Sequence, residues 1–208
     1  MPPMPCAAGR AFAGETSPVQ RLPARHYGVV RTRAFDRVDI YLDFLTEVPG
    51  KSSGTVMVDD VPTSVFRGID RALTLNRDCE VAGTDLYGVR QRCRVRVCEA
   101  GPYLVLKLIA FAGRMQPKDA FDLHQMALHY DGGPAAAIAG FAAEREVNSG
   151  FGAARATLVE HFTSAEKSGP MRGAAFVFGE NAPTTVMDEH FRFRQELVNF
   201  GQAMLEAT

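Results

Sequence analysis

The chain has 208 residues, 46% of them hydrophobic and 23% charged, and its 23 Lys and Arg residues nearly balance its 24 Asp and Glu residues. This composition excludes a largely disordered chain, and the length suits one domain or a compact α/β core with a small helical addition. The net charge of −1 argues against nucleic-acid binding through bulk charge, and no apolar run approaches the roughly 18 residues of a membrane span, so no membrane partner is expected.

Residues 1–25 are rich in Pro, Ala and Gly, which predicts a disordered lead-in. They lack the basic start and the long apolar stretch of a secretory signal, so the expected compartment is the cytoplasm. The four cysteines form no C-x-x-C pair. Cys93 and Cys98 flank an alternating run, which favours small reduced strand residues over metal ligands or a disulfide.

Short strands are predicted in the first half of the chain, at 26–33, 38–44, 55–58, 62–66 and 92–97, with one short helix at 68–75. The segment 38–44 alternates strictly. Its apolar residues Val38, Ile40, Leu42 and Phe44 point to one face, and Asp39, Tyr41 and Asp43 point to the other. This alternation predicts a strand that is buried on one side.

The second half of the chain is predicted to be helical, because apolar residues recur there at helical spacing. Helices are expected at 103–112, from Pro117 to about Tyr130, and at 135–146, 153–165 and 189–206, with breaks at 148–152 and 167–170. Strands followed by helices favour an α+β fold with a helical C-terminal part.

A group of charges lies on either side of the short connection 114–116. Lys107 and Arg114 are seven residues apart on one stripe of the first helix, and Asp119 and Asp122 share a face of the second. One interpretation is structural: Arg114 pairs with Asp122, while Asp119 favours the positive helix N-terminus. The other is functional, because a lysine in an apolar stripe is costly to bury without a partner.

This segment resembles a known family. The pattern K-x-x-A-x-x-x-R-x-x-x-K-D-x-x-D-L is carried by Lys107, Ala110, Arg114, Lys118, Asp119, Asp122 and Leu123. It is similar to the signature that follows the core sheet in AbiEii-type nucleotidyltransferase-like proteins, which include toxins of toxin–antitoxin and phage-defence systems. Segments 41–45, 68–73, 95–97 and 162–170 resemble other parts of the family, so that the resemblance covers about residues 26–205, and only 107–123 is specific.

The resemblance implies a partial nucleotidyltransferase-fold mixed sheet at 26–130 and a helical region at 131–208. It implies transfer of a nucleotidyl group from an NTP, with Mg²⁺, to an RNA or protein acceptor, and a cognate antitoxin as a partner. Asp43 would be a catalytic carboxylate and the metal ligand, with Asp39 as its rival. Lys107, Asp119 and Asp122 would be catalytic, and Lys107, Arg114 and Lys118 would bind the nucleotide.

One departure from the family bears on activity. The family's first motif is a Gly-Ser or Gly-Gly turn followed by a strand with Asp-x-Asp or Asp-x-Glu, and it should precede the Asp43 strand. Before Asp39 this chain has only Glu15 and Asp36 as acidic residues. Either the gene start is misassigned or truncated, or the chain is a degenerate relative. The expected activity is therefore impaired, and the alternative is a non-catalytic binding module that acts through an antitoxin or RNA.

Four arginines alternate along one predicted strand, at Arg90, Arg92, Arg94 and Arg96. They would share one strand face and could touch phosphate or RNA. The alternative is a solvated face whose charge is balanced by acidic residues elsewhere.

Overall fold

The structure is a computed structural model that describes residues 29–31, 39–41, 44–85 and 87–208; for 29–31 and 39–41 it describes the backbone. The strands are β1 (Val29–Arg31), β2 (Asp39–Tyr41), β3 (Leu45–Thr46), β4 (Thr55–Val58), β5 (Val61–Val65), β6 (Asn76–Thr84) and β7 (Arg90–Cys98). The helices are α1 (Ile69–Thr74), α2 (Ala100–Arg114), α3 (Pro117–His129), α4 (Gly133–Ala143), α5 (Phe151–His161), α6 (Ser168–Phe178) and α7 (Met187–Glu206), with a 3-10 turn at Thr184–Val186. The predicted α+β fold with a helical C-terminal part is confirmed.

The strands form small sheets rather than one wide sheet. β1 pairs antiparallel with β2, and β5 lies between β3, which is parallel to it, and β4, which is antiparallel. A two-residue turn joins β4 to β5, and both of its residues, Asp59 and Asp60, have positive φ values of 46° and 63°. Positive φ at both central positions is the geometry that matches the twist of a hairpin, and Asp tolerates it better than most residues.

The longest strands form a hairpin that the sequence predicts only in part. Arg92 to Val97 was expected to be a strand, and β7 extends that run to nine residues, but no strand was expected opposite it. β6 pairs with β7 from Asn76 opposite Cys98 to Thr84 opposite Arg90. Most residues of β6 are exposed, on both faces of the hairpin. The missed strand contains Asn, Asp, Glu and Gly, which β-propensity disfavours, so its partner strand determines its conformation.

Most predicted helices are confirmed, with ends shifted by a few residues, but α6 was missed. The prediction placed a break at 167–170, because Gly169 and Pro170 usually stop a helix. In the structure Lys167 is the extended N-cap of α6, and both residues lie in its first turn. Proline is tolerated there because the first amide groups of a helix have no partner inside it.

The hydrophobic core lies between the helices. It is one cluster from Ala100 to Met204, so the helices on both sides of residue 130 share it. Leu104, Leu108 and Phe111 of α2 are fully buried in it. Within the residues that the structure describes, no helix combines the length and the apolar character that crossing a membrane requires.

α2 and α4 pack closely enough that a methyl group between them has no room. A Cβ built on Gly101 would lie 2.4 Å from the carbonyl oxygen of Gly140. We expect Gly101→Ala to lower the free energy of unfolding by about 1–3 kcal/mol, because the backbone of α4 must shift. Gly113→Ala, in the same helix with nothing within 4 Å of its Cβ, is the matched control. It should stabilise the protein by about 0.5–1 kcal/mol, and thermal melts that rank the two variants the other way would contradict this packing.

Candidate functional site

A tight corner brings the end of α2 onto the start of α3. Met115 ends α2 in the left-handed conformation with φ 52°, and its amide donates to the carbonyl of Phe111 at 2.7 Å. Gln116 is extended, and Pro117 begins α3. The corner has the length that the sequence predicts, and it places the last turns of α2 beside the first turns of α3.

Five charged side chains meet at this corner, and we call them the Lys107 cluster: Lys107, Arg114, Lys118, Asp119 and Asp122. Lys107 Nζ lies 3.3 Å from Asp119 Oδ1 and 2.5 Å from Asp122 Oδ2. Arg114 donates from Nε to Asp119 Oδ2 at 2.7 Å and from Nη2 to Asp119 Oδ1 at 2.6 Å. Lys118 Nζ donates to both oxygens of Asp122, at 2.9 and 2.8 Å. The structure therefore brings together every predicted site residue of the segment 107–123.

Within the cluster the carboxylates are buried and the cations are more exposed. The exposed fraction of the side chain rises from 1% for Asp119 to 13% for Asp122, 22% for Lys107, 48% for Arg114 and 64% for Lys118. The carboxylates are thus held beneath the cations. A ligand that approaches from solvent meets the cationic groups first.

Electrostatics keeps Asp122 ionised. Burial alone would raise its pKa, but hydrogen bonds from Lys107 and Lys118 outweigh burial and lower the pKa below its ordinary value. Tyr103 lies beside the cluster, with Lys107 Nζ 5.8 Å from its ring centroid. Burial and the nearby charge of Asp122 raise the pKa of the Tyr103 phenol far above its usual range, so it stays protonated at neutral pH.

One predicted pairing is wrong. The structural interpretation placed Arg114 against Asp122, whereas Arg114 holds Asp119 in a two-point contact. The reason is geometric, because the corner turns Asp119 toward the end of α2, while Asp122 lies one turn further along α3, beside Lys107. Asp119 therefore has a specific partner in addition to any favourable interaction with the helix N-terminus.

The predicted metal ligand Asp43 lies outside the described residues, and of its rival Asp39 only the backbone is described. Among the residues that the structure describes, no group of three or more acidic, His or Cys side chains could hold a metal ion. In the Lys107 cluster every carboxylate oxygen already accepts from a cation. The two carboxylates of the cluster therefore do not fit Mg²⁺, and the chemistry that the cluster supports is anion binding by cations that carboxylates hold in place.

A buried polar network was missed by sequence reasoning. Glu144, fully buried at the end of α4, accepts from Arg71 Nε at 3.1 Å and Nη2 at 2.9 Å, and from Asn148 Nδ2 at 2.8 Å. It ties α1 to the helical part of the chain. A sequence signal existed, because Glu144 comes directly after the apolar run 135–143 at a core-facing spacing from Phe141.

A second missed contact joins α3 to α7. His124 is buried, and its Nε2 lies 2.7 Å from Glu196 Oε2. The two side chains lie at the edge of a depression of about 210 Å³ with an otherwise mostly apolar lining. Because the contact links α3 to α7, we assign the pair a structural role.

No protein-family model, no curated protein and no solved structure matches this chain.

Proposed function

We propose that the chain is a nucleotidyltransferase-like protein of the AbiEii type and that the Lys107 cluster binds the phosphates of an NTP. The observation that carries the proposal is the arrangement of the cluster: three cations meet at one corner over two carboxylates, and the outermost cations face solvent. The excess of one positive charge attracts an anion. Lys107, Arg114 and Lys118 are the phosphate contacts in this proposal.

The two carboxylates have a different role from the one that the resemblance implies. Asp119 and Asp122 act as positioning residues, because their oxygens already accept from the three cations. An arginine or lysine that is fixed by a carboxylate loses less conformational entropy when it binds a ligand. In this proposal neither carboxylate binds Mg²⁺. In its complete form, the proposed activity is transfer of a nucleotidyl group from the NTP to an RNA or protein acceptor.

The proposal predicts weak binding of NTPs that does not depend on Mg²⁺. We expect a Kd of about 0.1–1 mM for each NTP in calorimetric titrations of the full chain, because charge neutralisation at a half-exposed site contributes only a few kcal/mol. Lys107→Met should abolish the measured heat. Arg145→Gln is the control, because Arg145 is exposed and its ion pair in the described part of the chain is with its exposed neighbour Glu146.

Two results would overturn this proposal. One is unchanged NTP binding by Lys107→Met. The other is sub-micromolar affinity that requires Mg²⁺, which would show that residues outside the described part complete a metal site around the nucleotide.

A second candidate function is the non-catalytic binding module. It is favoured by the β6–β7 hairpin, whose side chains are mostly exposed on both faces, including Val81, Val95 and Val97. Efficient transfer of label from an α-labelled NTP to an acceptor would exclude this second candidate.

A further inference from the structure

The β6–β7 hairpin places all four alternating arginines on one face. Residues opposite each other in the register share a face, so Arg90, Arg92, Arg94 and Arg96 lie beside Asp78, Glu80 and two uncharged residues of β6. Each arginine is exposed. We call this surface the arginine face. It carries four positive charges against two negative charges.

The two carboxylates neutralise only half of the arginines. Arg92 Nη1 lies 3.0 Å from Glu80, and Arg96 Nε lies 3.9 Å from Asp78. No carboxylate in the described part of the chain lies within ion-pair distance of Arg90 or Arg94. The sequence left two interpretations open, a balanced face and a phosphate-binding face. The acids on the neighbouring strand balance the face only in part.

The hairpin is held at its base and free along its length. Arg77 donates to Asp131 at 3.0 Å and lies over the ring of Tyr130, and Tyr130 donates to Glu99 at 2.8 Å. Beyond these contacts most of the hairpin side chains are exposed. A two-stranded ribbon on its own is only marginally stable, which makes such an exposed arm unusual unless it meets a partner.

We propose that the arginine face binds duplex DNA in the major groove. Residues two apart on a strand are about 6.8 Å apart, so the four arginines span about 20 Å, the length of about six base pairs. The major groove of B-DNA admits a two-stranded β-ribbon, whereas the deep and narrow groove of duplex RNA does not. The chain as a whole has a net charge of −1, so the interaction depends on this one face. This inference does not rest on the proposed nucleotide site.

The test measures how salt weakens binding of the full chain to a fluorescein-labelled 20-base-pair DNA duplex, by anisotropy between 50 and 200 mM NaCl. Each phosphate that an arginine neutralises adds about 0.9 to the slope of log K against log salt. Replacing both unpaired arginines, in Arg90→Gln with Arg94→Gln, should reduce the slope by about 2 and weaken binding at 50 mM roughly tenfold or more.

Two companion variants sharpen the test. Asp78→Asn with Glu80→Gln should tighten binding, because it removes two negative charges from the arginine face and releases Arg92 and Arg96. Arg155→Gln with Arg172→Gln removes two exposed arginines from α5 and α6 and should leave binding unchanged.

Three results would overturn the proposal: no binding at 50 mM salt, an equal loss in the helix control, or tighter binding of an RNA duplex of the same sequence. A drop in NTP affinity is not expected in any of the hairpin variants. The DNA and nucleotide proposals can therefore fail separately.

Discussion

Arg71→Met should destabilise the protein by about 3–5 kcal/mol, the largest effect that we expect from a single substitution. Arg71 donates two hydrogen bonds to Glu144, from Nε and from Nη2, and the Glu144 side chain is completely buried. Without the guanidinium, the Glu144 carboxylate keeps, among the described residues, the side-chain amide of Asn148 as its donor. Removing one partner of such a pair leaves an uncompensated buried charge.

The partner substitution should cost less, because the two side chains differ in exposure. Arg71 is 31% exposed and can turn to water when its partner is lost, whereas Glu144 is 0% exposed. We therefore expect Glu144→Gln to be clearly milder than Arg71→Met. The double variant Arg71→Met with Glu144→Leu should recover most of the loss, since a packed apolar pair can replace a buried ion pair. Urea unfolding of the three variants measures this, and equal losses for both single variants would contradict it.

The sequence predicted most helices because each carries an apolar stripe that the core requires. α2 is the clearest case, since Leu104, Leu108 and Phe111 follow the helical period and all are buried. The sequence did not predict α6, because Gly169 and Pro170 were interpreted as helix breakers. Both residue types also occur in the first turn of a helix, which is where they lie in α6. Gly169 also lies against the ring of Phe162, a packing requirement that local sequence cannot show.

The candidate site was predicted as a set of residues but not as a set of contacts. The period of the helix placed Lys107 and Arg114 on one stripe, and the length of the corner indicated that they would face α3. Which cation holds which carboxylate depends on the left-handed Met115, whose backbone conformation is rare outside glycine and cannot be foreseen from its side chain. The Arg71–Glu144 contact was not predicted because it joins residues 73 positions apart.

Within the Lys107 cluster, Lys107→Met should lower the free energy of unfolding by about 1.5–3 kcal/mol. If Lys107 only repelled the neighbouring cations, replacing it would stabilise the protein. Lys107 instead contacts two carboxylates that are mostly buried, so its loss leaves them with fewer hydrogen-bond donors. The loss should be smaller than for Arg71→Met, because Asp119 keeps Arg114 and Asp122 keeps Lys118. Since Asp122 has a lowered pKa, its stabilising contribution is present above pH about 3.9 and is lost as the pH falls through that lowered value. The difference between wild type and variant should therefore shrink in acid.

Lys118→Met is the control that separates stability from binding. Lys118 is 64% exposed and pairs with Asp122 four residues along the same helix, so its loss should cost only about 0.3–0.5 kcal/mol. If the cluster binds phosphate, Lys118→Met should still weaken NTP binding, because its ammonium group is the one that solvent reaches most easily. Thermal melts and calorimetric titrations of the two variants provide both readings. Unchanged NTP affinity in Lys118→Met, with a large loss of stability and of binding in Lys107→Met, would show that Lys107 acts through the fold. The phosphate-binding role of the cluster would then have to be withdrawn.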